Sequence, residues 1–264
     1  MTTKTTWLLR PELRAAAVSL AVLLSACSDR TGPDSPATNA TAQAPAVQPA
    51  PPAVLPRPTA QDWQAAVALA IPVPESAADI NDKGNGVSSF MTCMLRISPT
   101  RCDLVANIDR DAFRKLRHVQ PVINTALIDQ YGTSVKTYVS LPDNGMPVFF
   151  LSASYVGRGS WLFMNRVAIM AGGEIAFEQA LEHNEVDRDN TGSVVAEQTQ
   201  IIVDGPKLDA LRKIATAKDV LVRLTGEKSF AAVPNAEVVA MQKSMIDALR
   251  AHDLLTAALK DKIP

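Results

Sequence analysis

From Ser134 to Leu141 the side chains change character at every step. Val135, Thr137, Val139 and Leu141 alternate with Ser134, Lys136, Tyr138 and Ser140. A period of two puts alternate side chains on opposite faces of a strand, so this stretch predicts a strand with one buried face. "PDNG" then predicts a tight turn, and "PVFFLSASY" resumes the pattern with Phe149, Leu151, Ala153 and Tyr155. After "VGRGS", the stretch "WLFMNRVAIM" is apolar on both faces and predicts a central strand covered on each side. "AGGE" turns the chain into "IAFEQAL", where Ile175 and Phe177 alternate with polar neighbours. Together these segments predict a meander of sequential antiparallel strands.

The downstream pattern adds further elements. "GSVVAEQTQIIV" predicts another strand, and "DGPKLDALRKIATA" a short helix with Pro206 in its first turn and an apolar stripe of Leu208, Leu211 and Ile214. "DVLVRLTG" predicts a strand ended by Gly226. "PNAEVVAMQKSMIDALRAHDLLTAAL" predicts one or two helices capped by Asn235, with Val238, Met241, Met245 and Leu249 facing inward.

Upstream, "TAQDWQAAVALA" predicts a helix capped by Thr59 with Trp63 and Val67 one turn apart, followed by a turn-rich loop, "DINDKGNGVSS". "FMTCMLRIS" fits a strand or a short helix equally. "DRDAFRKLRHVQPVINTALIDQYG" predicts helix in at least two pieces, broken near Pro121. Strands grouped with helices, without regular alternation, predict an α+β fold: an antiparallel β-meander sheet packed with helices.

The first 60 residues have a different pattern. Lys4, Arg10 and Arg14 precede an apolar run, Ala15 to Leu24, that is too short to span a bilayer as a helix. A basic region, a short apolar run and small residues make a secretory signal peptide over residues 1–26. Its ending, Leu24-Ser25-Ala26-Cys27, resembles the lipobox of bacterial lipoproteins. The resemblance implies that the Cys27 thiol takes a diacylglyceryl group, that cleavage falls before it, and that the mature N-terminus carries three acyl chains, palmitate among them. Two or more chains anchor a protein stably, where one does so marginally. Ser28 stands where enterobacterial lipoproteins held at the inner membrane carry Asp, so the resemblance implies the periplasmic face of the outer membrane, with the inner membrane as the alternative.

Residues 27–60 follow as the lipidated cysteine and a linker rich in Pro, Ala and Thr, including "QAPAVQPAPPAVLPRP". Such a composition buries too little apolar surface to offset ordering entropy, which predicts a disordered tether. Residues 61–264 then make a single globular domain, long enough for a real core. Of three cysteines, lipid on Cys27 leaves Cys93 and Cys102, which an oxidising periplasm would join in a disulfide worth about 2–3 kcal/mol.

Charge and motifs narrow the chemistry only slightly. The chain has a net charge of −1, and the signal peptide holds three basic side chains and one acidic, leaving −3 on the mature protein. That balance favours neither nucleic acid nor a polybasic membrane contact. Glu182, His183, Glu185, Asp187 and Asp189 form an acidic loop in "LEHNEVDRDNTGS", and "DRDNTG" resembles the front of a calcium loop. Thr191 and Gln198 fall where further ligands are wanted, so these five are weak metal candidates. His118 ends "FRKLRH", at the end of a predicted helix. No motif calls for a cofactor, and none frames a catalytic nucleophile. Arg166 and Arg223 are placed to reach Glu197 across the sheet, and "GEKS" (226–229) reads as a plain turn.

"GSWLFMNRVAI", Glu197 and "LDALRKIATAKDVLVRLTG" resemble a region of uncharacterised bacterial lipoproteins and secreted proteins, which implies a sheet and helix module. The sequence therefore predicts an outer-membrane-anchored periplasmic lipoprotein. Its expected role is non-enzymatic: binding a protein or another component of the envelope, in the manner of an accessory or immunity protein. An envelope hydrolase using the acidic loop near His183 and a purely structural lipoprotein are the alternatives.

Overall fold

The computed structural model describes residues 57–127 and 132–264, all within one unit, Val54–Pro264. Cys27, its lipobox and most of the linker lie outside the described residues. Helix α1 (Ala60–Ala70) starts at a capping box. The Thr59 hydroxyl accepts from the Asp62 N–H, while the Asp62 carboxylate accepts from the Thr59 N–H. Together they satisfy two donors that a helix start leaves open.

Strands β1 (Asn81–Gly84), β2 (Val87–Ser98), β3 (Arg101–Asp111), β4 (Leu116–Pro121), β5 (Gly132–Pro142) and β6 (Val148–Arg158) follow in antiparallel succession. The chain then leaves this sheet. β7 (Met164–Ala171) and β8 (Glu174–Ala180) begin a second one. β9 (Val186–Thr191) and β10 (Val194–Val203) return to the first, β10 pairing with β6 along ten residues. Helix α2 (Gly205–Thr216) leads to β11 (Val220–Gly226) and β12 (Phe230–Ala232), which complete the second sheet, and α3 (Asn235–Leu259) closes the chain.

The result is an α+β fold with an eight-stranded sheet, β1-β2-β3-β4-β5-β6-β10-β9, and a four-stranded one, β12-β11-β7-β8. α3 lies over β5, burying Val238, Met241, Met245 and Leu249 against Val135, Val139 and Leu141. One polar set sits inside this layer. Asn124 donates to the Thr137 carbonyl at 2.8 Å, and Ser244 donates to the Asn124 side chain at 2.5 Å. Thr137 and Ser244 share a further bond of 3.2 Å, so the buried hydroxyls and amide satisfy one another.

The structure corrects several expectations. The meander is split: β5 and β6 are neighbours, but β7 and β8 belong to the second sheet, where β7 and β11 are the interior strands. Residues 109–127 hold the end of β3, β4 and a 3₁₀ turn over Val122–Leu127 in place of helices, so His118 lies in a strand. "FMTCMLRIS" is strand, part of β2. β1 and a 3₁₀ turn at Ala77–Asp79 occupy much of the predicted loop. α3 is a single helix whose cap position is Pro234, with Asn235 as its first helical residue and no side-chain cap bond. The Cys93–Cys102 disulfide is present, linking β2 to β3.

Candidate functional site

The predicted acidic loop is a 3₁₀ turn running into strand β9. Glu182 and Glu185 bracket a 3₁₀ turn over His183–Glu185, where the Glu185 carboxylate accepts from the Glu182 N–H at 2.7 Å. Asp187 and Asp189 lie on β9, opposite Gln198 and Ala196. His183 is exposed, and its carbonyl accepts from Arg188 at 2.9 Å. Among the described residues, no three His, Cys, Asp or Glu side chains gather in a way that would hold a metal ion.

Glu197 has partners other than those the sequence predicts. Arg166 pairs with Glu178 at 3.3 Å, and Arg223 stacks over the Phe230 ring. Glu197, fully buried on β10, instead receives three consecutive backbone donors. One carboxylate oxygen accepts from the Leu162 and Phe163 N–H groups at 2.6 and 2.8 Å; the other accepts from Met164 at 2.7 Å. Phe163 has φ +55°, a left-handed conformation that a bulky residue adopts only under constraint. That turn aims the three N–H groups to one side, forming an anion-binding nest that the protein fills with its own carboxylate. Arg188 Nε lies 3.5 Å from Glu197, while its other nitrogens donate to the His183, Val186 and Met164 carbonyls. The nest sits where the chain crosses between sheets, so it fixes the second sheet to β10 of the first. Gly226 completes it: the Leu162 carbonyl packs on its Cα, and the Glu227 N–H donates to the Phe163 carbonyl at 3.2 Å.

One open surface is the face of the eight-stranded sheet turned away from α3. A cross-strand row runs over it: Met91 opposite Asn107, Asn107 opposite Gln120, then Tyr138 opposite Phe150 and Phe150 opposite Ile202. The Tyr138 and Phe150 rings stack at 5.1 Å, and His118 meets Tyr138 edge-on at 5.6 Å. The Tyr138 hydroxyl donates to Gln200 at 3.0 Å, and Gln198 donates to Ser152 at 3.3 Å. Both ends of the row are apolar and open, Met91 at 61% and Ile202 at 57% exposure. Burial pushes the Tyr138 phenol well above its ordinary range. His118 is shifted below the usual imidazole value, chiefly by burial, against the opposing pull of Asp109 and Asp111. At neutral pH the row therefore presents uncharged rings, amides and hydroxyls.

Arg188 and this row were missing from the sequence reading. Their signals were present: Tyr138 fills a polar slot of an alternating strand, and Phe149-Phe150 places aromatic rings on both faces. Comparison of the chain with family models, curated proteins and solved structures finds no match.

Proposed function

We propose that the chain is a lipid-anchored envelope protein that works by binding another protein of the envelope through the open face of its larger sheet. Cys27 supplies the anchor, the Pro/Ala-rich linker the reach, and the domain a rigid platform. The supporting observation is the row from Met91 to Ile202. It combines stacked aromatic rings, apolar ends and neutral amides, the composition that well-packed protein interfaces favour over charged surface. Its rings are held by neighbours before any partner arrives, which lowers the ordering cost of binding. The outer membrane is the location that Ser28 favours.

Photocrosslinking in intact envelopes tests the reading. A benzophenone side chain at Ile202 is expected to capture one discrete partner, and Met91→Asp at the far end of the row should reduce its yield at least fivefold. The same probe at Leu69, 84% exposed on α1, is expected to capture none. Equal products from Ile202 and Leu69, or none from Ile202, would reject the face.

A further inference from the structure

A second recognition feature lies on the opposite side of the sheet. α1 and the segment after it arch over the ends of β2, β3 and β4, leaving a groove of about 160 Å³. Val67, Ile71, Phe90 and Ile108 form its walls. Gln64, Ser88, Arg110 and Arg117 stand among them. An apolar hollow with a few converging polar groups is the usual form of a small-molecule site.

The two arginines are the informative part. Arg110 on β3 is the direct cross-strand partner of Arg117 on β4, and Ser88 on β2 is the partner of Arg110. Like charges directly opposite each other destabilise a sheet. Arg117 is neutralised: it pairs with Asp143 and stacks over the Trp63 ring at 5.5 Å. Arg110 is not. Its guanidinium has no ion pair or side-chain hydrogen bond among the described residues. The carboxylates nearby are engaged elsewhere. Asp109 binds Lys83 and Gln120, Asp111 pairs with Arg114, and Asp82 accepts from the Gly84 N–H. An exposed cation thus stands at the mouth of an apolar hollow, beside a second cation.

We propose that this groove binds a small apolar carboxylate, of the class of benzoate or hexanoate. The carboxylate takes the planar fork of Arg110, which matches its two oxygens, with the Ser88 hydroxyl beside it. The apolar body enters between α1 and the sheet. Size sets the class: a cavity of about 150 Å³ lined by apolar side chains holds one benzene ring. This site is independent of the anchor and of the opposite sheet face.

The test uses the full chain in lipid nanodiscs, with empty nanodiscs as the blank, titrated with benzoate and hexanoate and followed by calorimetry and ligand-observed NMR. Saturable binding with a Kd of about 1 mM or tighter is expected for ligands of this size. Benzyl alcohol, which keeps the ring and lacks the charge, should bind at least tenfold more weakly. Arg110→Gln, at an exposed side chain, should weaken benzoate at least tenfold. Ala68→Phe, at an exposed α1 position that lines the groove, should abolish binding while the far-ultraviolet spectrum stays unchanged. Absence of saturable binding to the wild type, equal binding of benzyl alcohol, or undiminished binding by folded Ala68→Phe would overturn the proposal.

Discussion

Glu197→Gln is expected to destabilise the fold by about 3–5 kcal/mol, measured as the shift in chemical unfolding of the full chain. The change keeps the shape of the side chain and replaces one acceptor oxygen with a donor. Whichever way the amide turns, an N–H group then faces a backbone N–H. Turned one way it opposes Leu162 and Phe163; turned the other, it opposes Met164 and the Arg188 guanidinium. Leu162 and Met164 are buried, so water cannot take over the lost bonds. An unsatisfied buried donor costs about 1–3 kcal/mol, and Arg188 loses its carboxylate in the same step. The left-handed Phe163 would lose the contacts that hold it in place. A loss below 1 kcal/mol would mean that the nest does not join the two sheets.

Gly226→Ala is expected to destabilise by about 3 kcal/mol or more, at the upper end for an overpacked site. A Cβ at this position would overlap the Leu162 carbonyl oxygen and lie 2.6 Å from its carbon. Both are backbone atoms, in the segment whose N–H groups Glu197 holds, so relief by side-chain rotation is closed. Moving Leu162 away would pull the nest off the carboxylate. Gly157→Ala makes a fitting control. Its Cβ would meet the Tyr155 ring, whose hydroxyl lies at 2.5 Å, and that ring is the movable end of a partly exposed side chain. A smaller loss than at Gly226 is expected. Equal losses would show that the close approach of the Leu162 backbone does not set the cost at position 226.

Other parts of the fold are legible in the sequence where these two sites are not. Alternation over Ser134–Leu141, resumed by Phe149, Leu151 and Ala153, names β5, β6 and their buried faces, because a period of two has no helical reading. The apolar stripe of α3 and the capping box of α1 are equally local. The departure of the chain from the first sheet is different. It depends on a positive φ at Phe163, a residue type that rarely adopts one, stabilised by a carboxylate 34 positions later. No local pattern signals that. Residues 109–118 misled for another reason: "DRDAFRKLRH" has the charge density of a solvated helix, yet Lys115 adopts φ +55° and turns β3 back into β4. The inward side chains that identify these strands, Ile108 and Val119, lie on either side of that turn. At the candidate face, Met91, Gln120, Phe150 and Ile202 are far apart in sequence and meet only through sheet register. The Arg110–Arg117 pair has the same origin.

The proposed role depends on where the chain is held, and one measurement addresses that directly. Intact-mass and N-terminal peptide mass spectrometry of the protein isolated from cell envelopes should find a mature chain beginning at Cys27, with a diacylglyceryl group on its sulfur and an acyl group on its α-amine. A mature chain beginning at any other residue, free of fatty acids and recovered in the soluble fraction, would contradict the anchored account.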